Sequence, residues 1–300
     1  MPVDPFFHVL NVHKQSGMTS RDVVNRVQRL VRPAKAGHAG TLDPLASGVL
    51  VICLGQATRL IEYVQRMQKT YRGTFMLGRH SPTEDIEGVV EELTNPPQPT
   101  LPQITAAAQQ LTGNIMQRPP AFSALKVAGQ RAYALARKGE EVTLAPRPIT
   151  IYRLSVSRYE YPELQLEIEC SSGTYVRSLG RDLAESLGTA AVMSALVRTA
   201  IGEFDLTTAV DTDRLTRDNL SDYLLPATTA VRGLPRIEIT DVERATLAKG
   251  VLVEISLERL DPKQTEVAAV NHAGELVALL GPQGDGLWRP LRNFGVESVG

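Results

Sequence analysis

Apolar positions along this chain switch between a period of two and a period near 3.6, which predicts strands and helices in turn. FHVLNVHK, from Phe7 to Lys14, alternates as a strand that delivers Lys14 into a loop. In GMTSRDVVNRVQRLV, Val23, Val24, Val27, Leu30 and Val31 recur at helical spacing, with Thr19 or Ser20 as N-cap and Arg32-Pro33 as the stop. VLVICL after Gly48 is a continuous apolar run that fits either a buried strand or the start of a buried helix. ATRLIEYVQRM predicts a second helix, KTYRGTFMLG (69–78) a strand carrying Tyr71, and QITAAAQQLTG a third helix stopped by Gly113.

Residues 81–102 are polar, acidic and proline-rich, and read as loop with one short strand near Val89. Residues 118–148 form a long basic segment bounded by prolines, with one helical piece over 131–138; unstructured segments of this length are usually functional or disordered. Residues 149–159 and 164–171 alternate and predict a hairpin joined at Tyr161-Pro162-Glu163. SSGTYVRSLGRDLAESLG predicts a strand end, then a helix to Gly188 with Leu179, Leu183 and Leu187 on one face. Residues 205–232 read as polar and irregular with a short helix. From Gly233 onward RIEIT, VLVEI, EVAAVN, ELVALL and LWRPLRNF are short strand-like runs around one helix, DVERATLAKG, which predicts a separate small β-rich domain.

At 300 residues and 43% hydrophobic content the chain can bury a sizeable core, as one large domain or two unequal ones. No apolar run approaches the ~20 residues of a membrane-spanning helix. MPVDPFFHVL has no basic, signal-like start, so a cytoplasmic location is expected. Cys53 and Cys170 are the only cysteines and sit among apolar residues, as buried thiols of a reducing compartment rather than a disulfide or zinc site.

A net charge of −1 hides an asymmetry: residues 1–80 hold 11 Lys/Arg against 4 Asp/Glu, whereas residues 171–300 hold 13 against 18. From Arg118 to Arg153 there are 7 basic residues against only Glu140 and Glu141. This pattern fits a polyanion-binding face, and equally an unevenly charged solvated surface.

The stretch with the most chemistry is AGHAGTLDPLASGVLVICLG, from Ala36 to Gly55. Pro44 pushes Asp43 out of the α region, so the carboxylate sits on an extended or turn segment against a buried apolar run. Such an acid is a candidate catalytic group, and Asp-Pro beside glycines is also an ordinary turn. Tyr71 is an aromatic with a polar tip. Tyr175 and Arg177 flank Val176 and would face one side of a strand. Lys14 and His38 are weaker candidates, a loop lysine and a lone histidine. No GxGxxG, no Walker loop and no Cys/His metal spacing occurs.

Taken together, HAGTLDPLASGVL, KTYRGTFMLG, CSSGTYVRSLGRDL and SALVRTAIG, in this order, resemble the bacterial TruB-type tRNA pseudouridine synthases, which make pseudouridine at position 55 in the tRNA T loop. The resemblance covers nearly the whole chain. It implies an α/β (α+β) fold with a central mixed, largely antiparallel sheet over 1–232, a thumb-like insertion at 118–148, and a PUA-like RNA-binding domain over 233–300. It implies Asp43 as the catalytic residue, Tyr71 stacked on the target base with a proton-transfer role, and Arg177 paired with Asp43. It further implies substrate contacts by Tyr175, Leu196, His38 and Lys14, with His38 filling the space left by flipped nucleotides. Where the family often has Lys-Pro, this chain has Lys14-Gln15.

The implied reaction breaks a C–N glycosidic bond, turns the base and forms a C–C bond, with no oxidation or group donor, so no cofactor and no metal is expected. The expected partner is the T stem-loop of tRNA, bound by a monomer without a guide RNA and without a membrane. Two alternatives differ in kind: a guide-RNA-dependent synthase, which the long basic insertion disfavours, and an RNA-binding folding factor, for which an RNA-facing carboxylate has no use.

Overall fold

The computed structural model describes residues 6–123, 125–127, 130–132, 144–254, 264–284 and 286–294. Strand β1 (Phe7–Lys14) leads into helix α1 (Ser20–Val31). Thr19 is the N-cap, and its hydroxyl and the Asp22 carboxylate form a reciprocal capping box. Strands β2 (Ala36–His38) and β3 (Ser47–Gly55) follow, then β4 (Lys69–Leu77).

The main path of an 11-stranded sheet runs Val210–Asp211, β1, β3, Ala191–Ile201, β4, Glu163–Cys170, Arg147–Glu160, Gly113–Gln117; Phe204–Asp205, Leu224–Pro226 and β2 pair off this path with Ala191–Ile201, β1 and β3. Only β1 with Val210–Asp211 and β3 with Ala191–Ile201 pair in parallel along this path. The sheet is therefore mixed and largely antiparallel.

VLVICL is a strand, and its lack of alternation has a physical cause: both faces are covered. Leu50, Ile52 and Leu54 pack with Val23, Val24, Val27 and Val31 of α1. Val49, Val51 and Cys53 face the opposite core, where the C-terminal segment contributes Ala268, Leu276, Leu279 and Phe294. A third cluster joins Tyr71, Phe75 and Leu77 of β4 to Leu179, Leu183 and Ala184 of helix Val176–Ser186. The helix lies so close to the sheet that a Cβ on Gly180 would stand 2.1 Å from the Phe75 ring.

The C-terminal segment forms its own five-stranded sheet, Arg236–Glu238, Val267–Val270, Leu276–Gly284, Leu287–Asn293, Val253–Glu254, around a core containing Trp288. It is joined tightly to the main sheet. The Phe7 and Phe294 rings stack 4.8 Å apart, Arg59 donates to the Asn293 carbonyl at 2.7 Å, and Arg292 pairs with Glu62.

Several expectations change. The second helix is split into a 3-10 turn, Gln56–Leu60, and a short α-helix, Ile61–Arg66. The short strand expected at Val89 lies at Glu91–Glu92, paired with Arg79–His80, and Val89 itself is exposed. The irregular stretch before Gly233 holds 3-10 turns rather than an α-helix. Tyr175 and Arg177 are not on a strand: Tyr175 is the N-cap of helix Val176–Ser186 and Arg177 lies in its first turn. The hairpin at Tyr161-Pro162 is present, with Glu160 opposite Glu163. The helical piece over 131–138 lies almost wholly outside the described residues.

Candidate active site

The loop from β2 to β3 carries Asp43 over a cleft of about 880 Å3. The Ala46 amide donates to the Asp43 carbonyl at 3.1 Å, closing a turn. The side chain does something else: its Oδ2 lies 3.0 Å from Arg177 Nε. Turn and candidate catalytic carboxylate are thus one residue, with the backbone serving the first and the side chain the second.

The Arg177 guanidinium is shared among three chain segments. Besides Asp43 it meets Asp85 Oδ2 at 3.4 Å and donates to the carbonyls of Thr83 at 2.8 Å and Phe122 at 3.2 Å. Asp85 is buried and accepts from the Thr83 hydroxyl at 2.6 Å and the Glu87 amide at 3.1 Å. Two carboxylates on one arginine leave the more accessible, Asp43, free to act on a ligand. Burial, then the charges of Asp85 and Asp43, push the Glu87 carboxyl above its ordinary range.

On the sheet side of the cleft, Tyr71 of β4 stands directly opposite Arg198 in strand Ala191–Ile201. Period two places Lys69 on the same face as Tyr71. Leu196 adds an apolar wall. Burial raises the Tyr71 phenol above its usual pKa, partly offset by the charge and hydrogen bond of Arg198. Arg198 was not singled out from sequence, yet it is 2% exposed and donates to three carbonyls: Val49 at 2.8 Å, Thr41 at 3.4 Å and Gly40 at 3.1 Å. It therefore ties the strand bearing Tyr71's neighbour to the loop bearing Asp43. Gly48 takes a φ of +110°, and a Cβ there would fall 2.2 Å from the Arg198 carbonyl oxygen.

The Lys14 side chain, a candidate substrate contact in the sequence, is buried behind the Asp43 loop. It donates to Met18 and Ala46 at 2.6 Å, Gln15 at 3.1 Å and Pro44 at 3.3 Å, all main-chain carbonyls. Loss of water on burial lowers its pKa to about 8. Its geometry is that of a clamp on the segment after Asp43.

Tyr175 lines the cleft with the Arg147 guanidinium 4.8 Å above its ring, and the Gln117 amide brackets its backbone N–H and C=O. His38 ends β2, outside the cleft lining. Burial, then the nearby cations Arg21 and Arg198, lower its pKa, so the ring is held neutral. Of the seven residues singled out from sequence, Asp43, Tyr71, Tyr175, Arg177 and Leu196 meet in one cleft, and His38 and Lys14 do not. Among the described residues no three His, Cys, Asp or Glu side chains gather as a metal site.

This architecture is the pseudouridine synthase fold. It superposes on a chain of a solved Cbf5-Nop10-Gar1 complex with TM-score 0.71 and 27% identity, over 93% of this chain and 79% of that one. The profile of the TruB family pseudouridylate synthase N-terminal domain matches residues 28–176. The tRNA pseudouridine synthase B of Dehalococcoides mccartyi is 40% identical over 95% of this chain and 96% of its own length. That of Clostridium tetani is 37% identical over 82% and 85%. The chain belongs to the TruB family of pseudouridylate synthases.

Proposed function

We propose that this chain isomerises uridine 55 in the T loop of tRNA to pseudouridine as a stand-alone monomer. The observation that carries the reading is the cleft in which Asp43, the accessible acid, is fixed by the buried guanidinium of Arg177. The names of close relatives support the substrate. A base inside a folded stem-loop must first be extruded, at a cost of roughly a few kcal/mol. The Tyr71 ring and Leu196 offer the extruded uracil a stacking and apolar surface. Asp43 then stabilises or traps the electron-poor sugar carbon, as carboxylates do in glycoside chemistry, or adds to the base. Arg177 holds that carboxylate in place, its Nε 3.0 Å from Asp43 Oδ2.

We further propose residues 1–232 as the catalytic unit and 233–300 as a PUA-like RNA-binding unit, in a cytoplasmic protein. The test is to incubate the purified full chain with unmodified tRNA and map pseudouridine by position. Conversion at position 55 without added RNA supports the reading. Turnover that appears only with a guide RNA would replace it, an outcome worth including because one solved neighbour is a chain of a Cbf5-Nop10-Gar1 complex.

A further inference from the structure

Two buried cations line the cleft and have no role in the reaction as described so far. Lys69 is 6% exposed and Arg198 2%. Neither makes a salt bridge to a carboxylate among the described residues; each is held by main-chain carbonyls, Lys69 by Gln65 and Met67, and Arg198 by Val49, Thr41 and Gly40. Carbonyl dipoles satisfy the donors without cancelling the charge. A buried cation left uncompensated is costly to the fold, and an anion arriving in the same cleft lowers that cost. The acids of the site, Asp43 and Asp85, are instead gathered on Arg177. The cleft is thus polarised, with the spare positive charge on the strand pair that carries Tyr71 and Leu196.

We propose that Lys69 and Arg198 stabilise the uracil anion while it is detached from the sugar. This rests on the pseudouridine synthase reading and adds a role to it. When the C1′–N1 bond breaks heterolytically, the electron pair stays on N1 and spreads over both carbonyl oxygens of uracil. The sugar carbon becomes electron-poor and is the partner of Asp43. When C5 bonds to C1′, the electron-poor sugar carbon takes up the anion's electron pair and the adduct is neutral; the C5 proton then leaves to a base or water while N1 takes up a proton, giving the N1–H of the product. Between cleavage and recombination the detached base carries a full negative charge, so a fixed field there favours detachment more than ground-state binding. Arg198 stands directly opposite Tyr71 across the strand pair, so its charge lies on the side of the cleft where the ring would stack on the base.

The experiment is single-turnover conversion of unmodified tRNA under saturating enzyme, with tRNA affinity measured in parallel. Lys69→Gln can still donate to the two carbonyls but carries no charge. The expected result is a loss of about 10²-fold in rate with affinity within about threefold, while Lys69→Arg keeps most of the rate. A folded Lys69→Gln variant within about threefold of the wild-type rate overturns the proposal. If Lys69→Gln does not fold, the rate–pH profiles of wild type and Lys69→Arg decide. Burial lowers the Lys69 pKa to about 8, beside Arg198 and the Cys170 thiol. The wild-type rate should fall as pH rises through about 8, and Lys69→Arg should fall less. Lys14, also at about 8, is common to both proteins, so identical profiles overturn the proposal. Absence of wild-type turnover on any tRNA would sink the functional reading itself, a distinct outcome.

Discussion

The 3.0 Å pair between Asp43 and Arg177 joins unequal partners: the Arg177 side chain is 8% exposed and that of Asp43 36%. Removing either end therefore has different consequences. Asp43→Asn leaves Arg177 paired with Asp85, so the fold should hold with a small change in Tm. Turnover on tRNA should disappear while affinity stays within roughly tenfold, about 1.4 kcal/mol. Arg177→Met instead strands the buried Asp85 carboxylate and should destabilise by about 3–5 kcal/mol. Thermal melting alongside the turnover assay checks both. A folded Asp43→Asn protein that turns over near the wild-type rate would return the loop to being a structural turn.

His38 gives a pH prediction. Its folded pKa is lowered from 6.5, so the unfolded chain binds more protons as pH falls through 6.5, and stability drops on acidification. His8, also lowered by burial, acts in the same direction. Comparing melting at pH 7 and pH 5 should show a larger loss for wild type than for His38→Gln. Equal losses would mean that His38 stays solvated in the folded protein.

Gly48→Ala tests the close approach of β3 to Arg198. The positive φ and the 2.2 Å Cβ contact with backbone cannot be relieved by a rotamer change. We expect a loss of at least about 3 kcal/mol or no soluble protein. A variant that melts like wild type would show that the strand crossing is looser than described.

Truncation before Gly233 leaves the catalytic cleft's residues but uncovers an apolar face. Phe7 loses the Phe294 ring, and Val9, Val51 and Leu60 lose the cluster shared with Ala268, Leu276 and Leu279. The shortened protein should melt well below the full chain, while any soluble fraction keeps turnover at saturating tRNA. A truncated protein as stable as the full chain would mean that the shared cluster contributes little.

Much of this arrangement was legible in the chain. The α1 valines, the hairpin at Tyr161-Pro162 and the constrained Asp43 each carry a local signal: a period, a turn pair, a proline. Strand Ala191–Ile201, central in the sheet, was not separately predicted, because polar Ser194, Arg198 and Thr199 interrupt its apolar run. Arg198 in particular is indistinguishable by sequence from a surface arginine; its burial depends on carbonyls about 150 residues away in the chain. Asp85 was hidden the same way, in an acidic loop that reads as solvated. Tyr175 and Arg177 looked like strand residues because nothing in Gly173-Thr174-Tyr175 caps a helix by side chain. Sequence periodicity records which face a residue is on, whereas these contacts depend on which distant segment arrives there.

The loop around Asp43 is gripped by its main chain on both sides of the acid, with Arg198 on Gly40 and Thr41 ahead of it and Lys14 on Pro44 and Ala46 behind. Its position is therefore encoded in β1 and in strand Ala191–Ile201 rather than in its own side chains. Grafting the GTLDPLASG segment into a foreign scaffold would transplant the acid without its coordinates. A transferable active site here is not a contiguous peptide but three pieces, an acid-bearing loop and the two strands whose cations hold it.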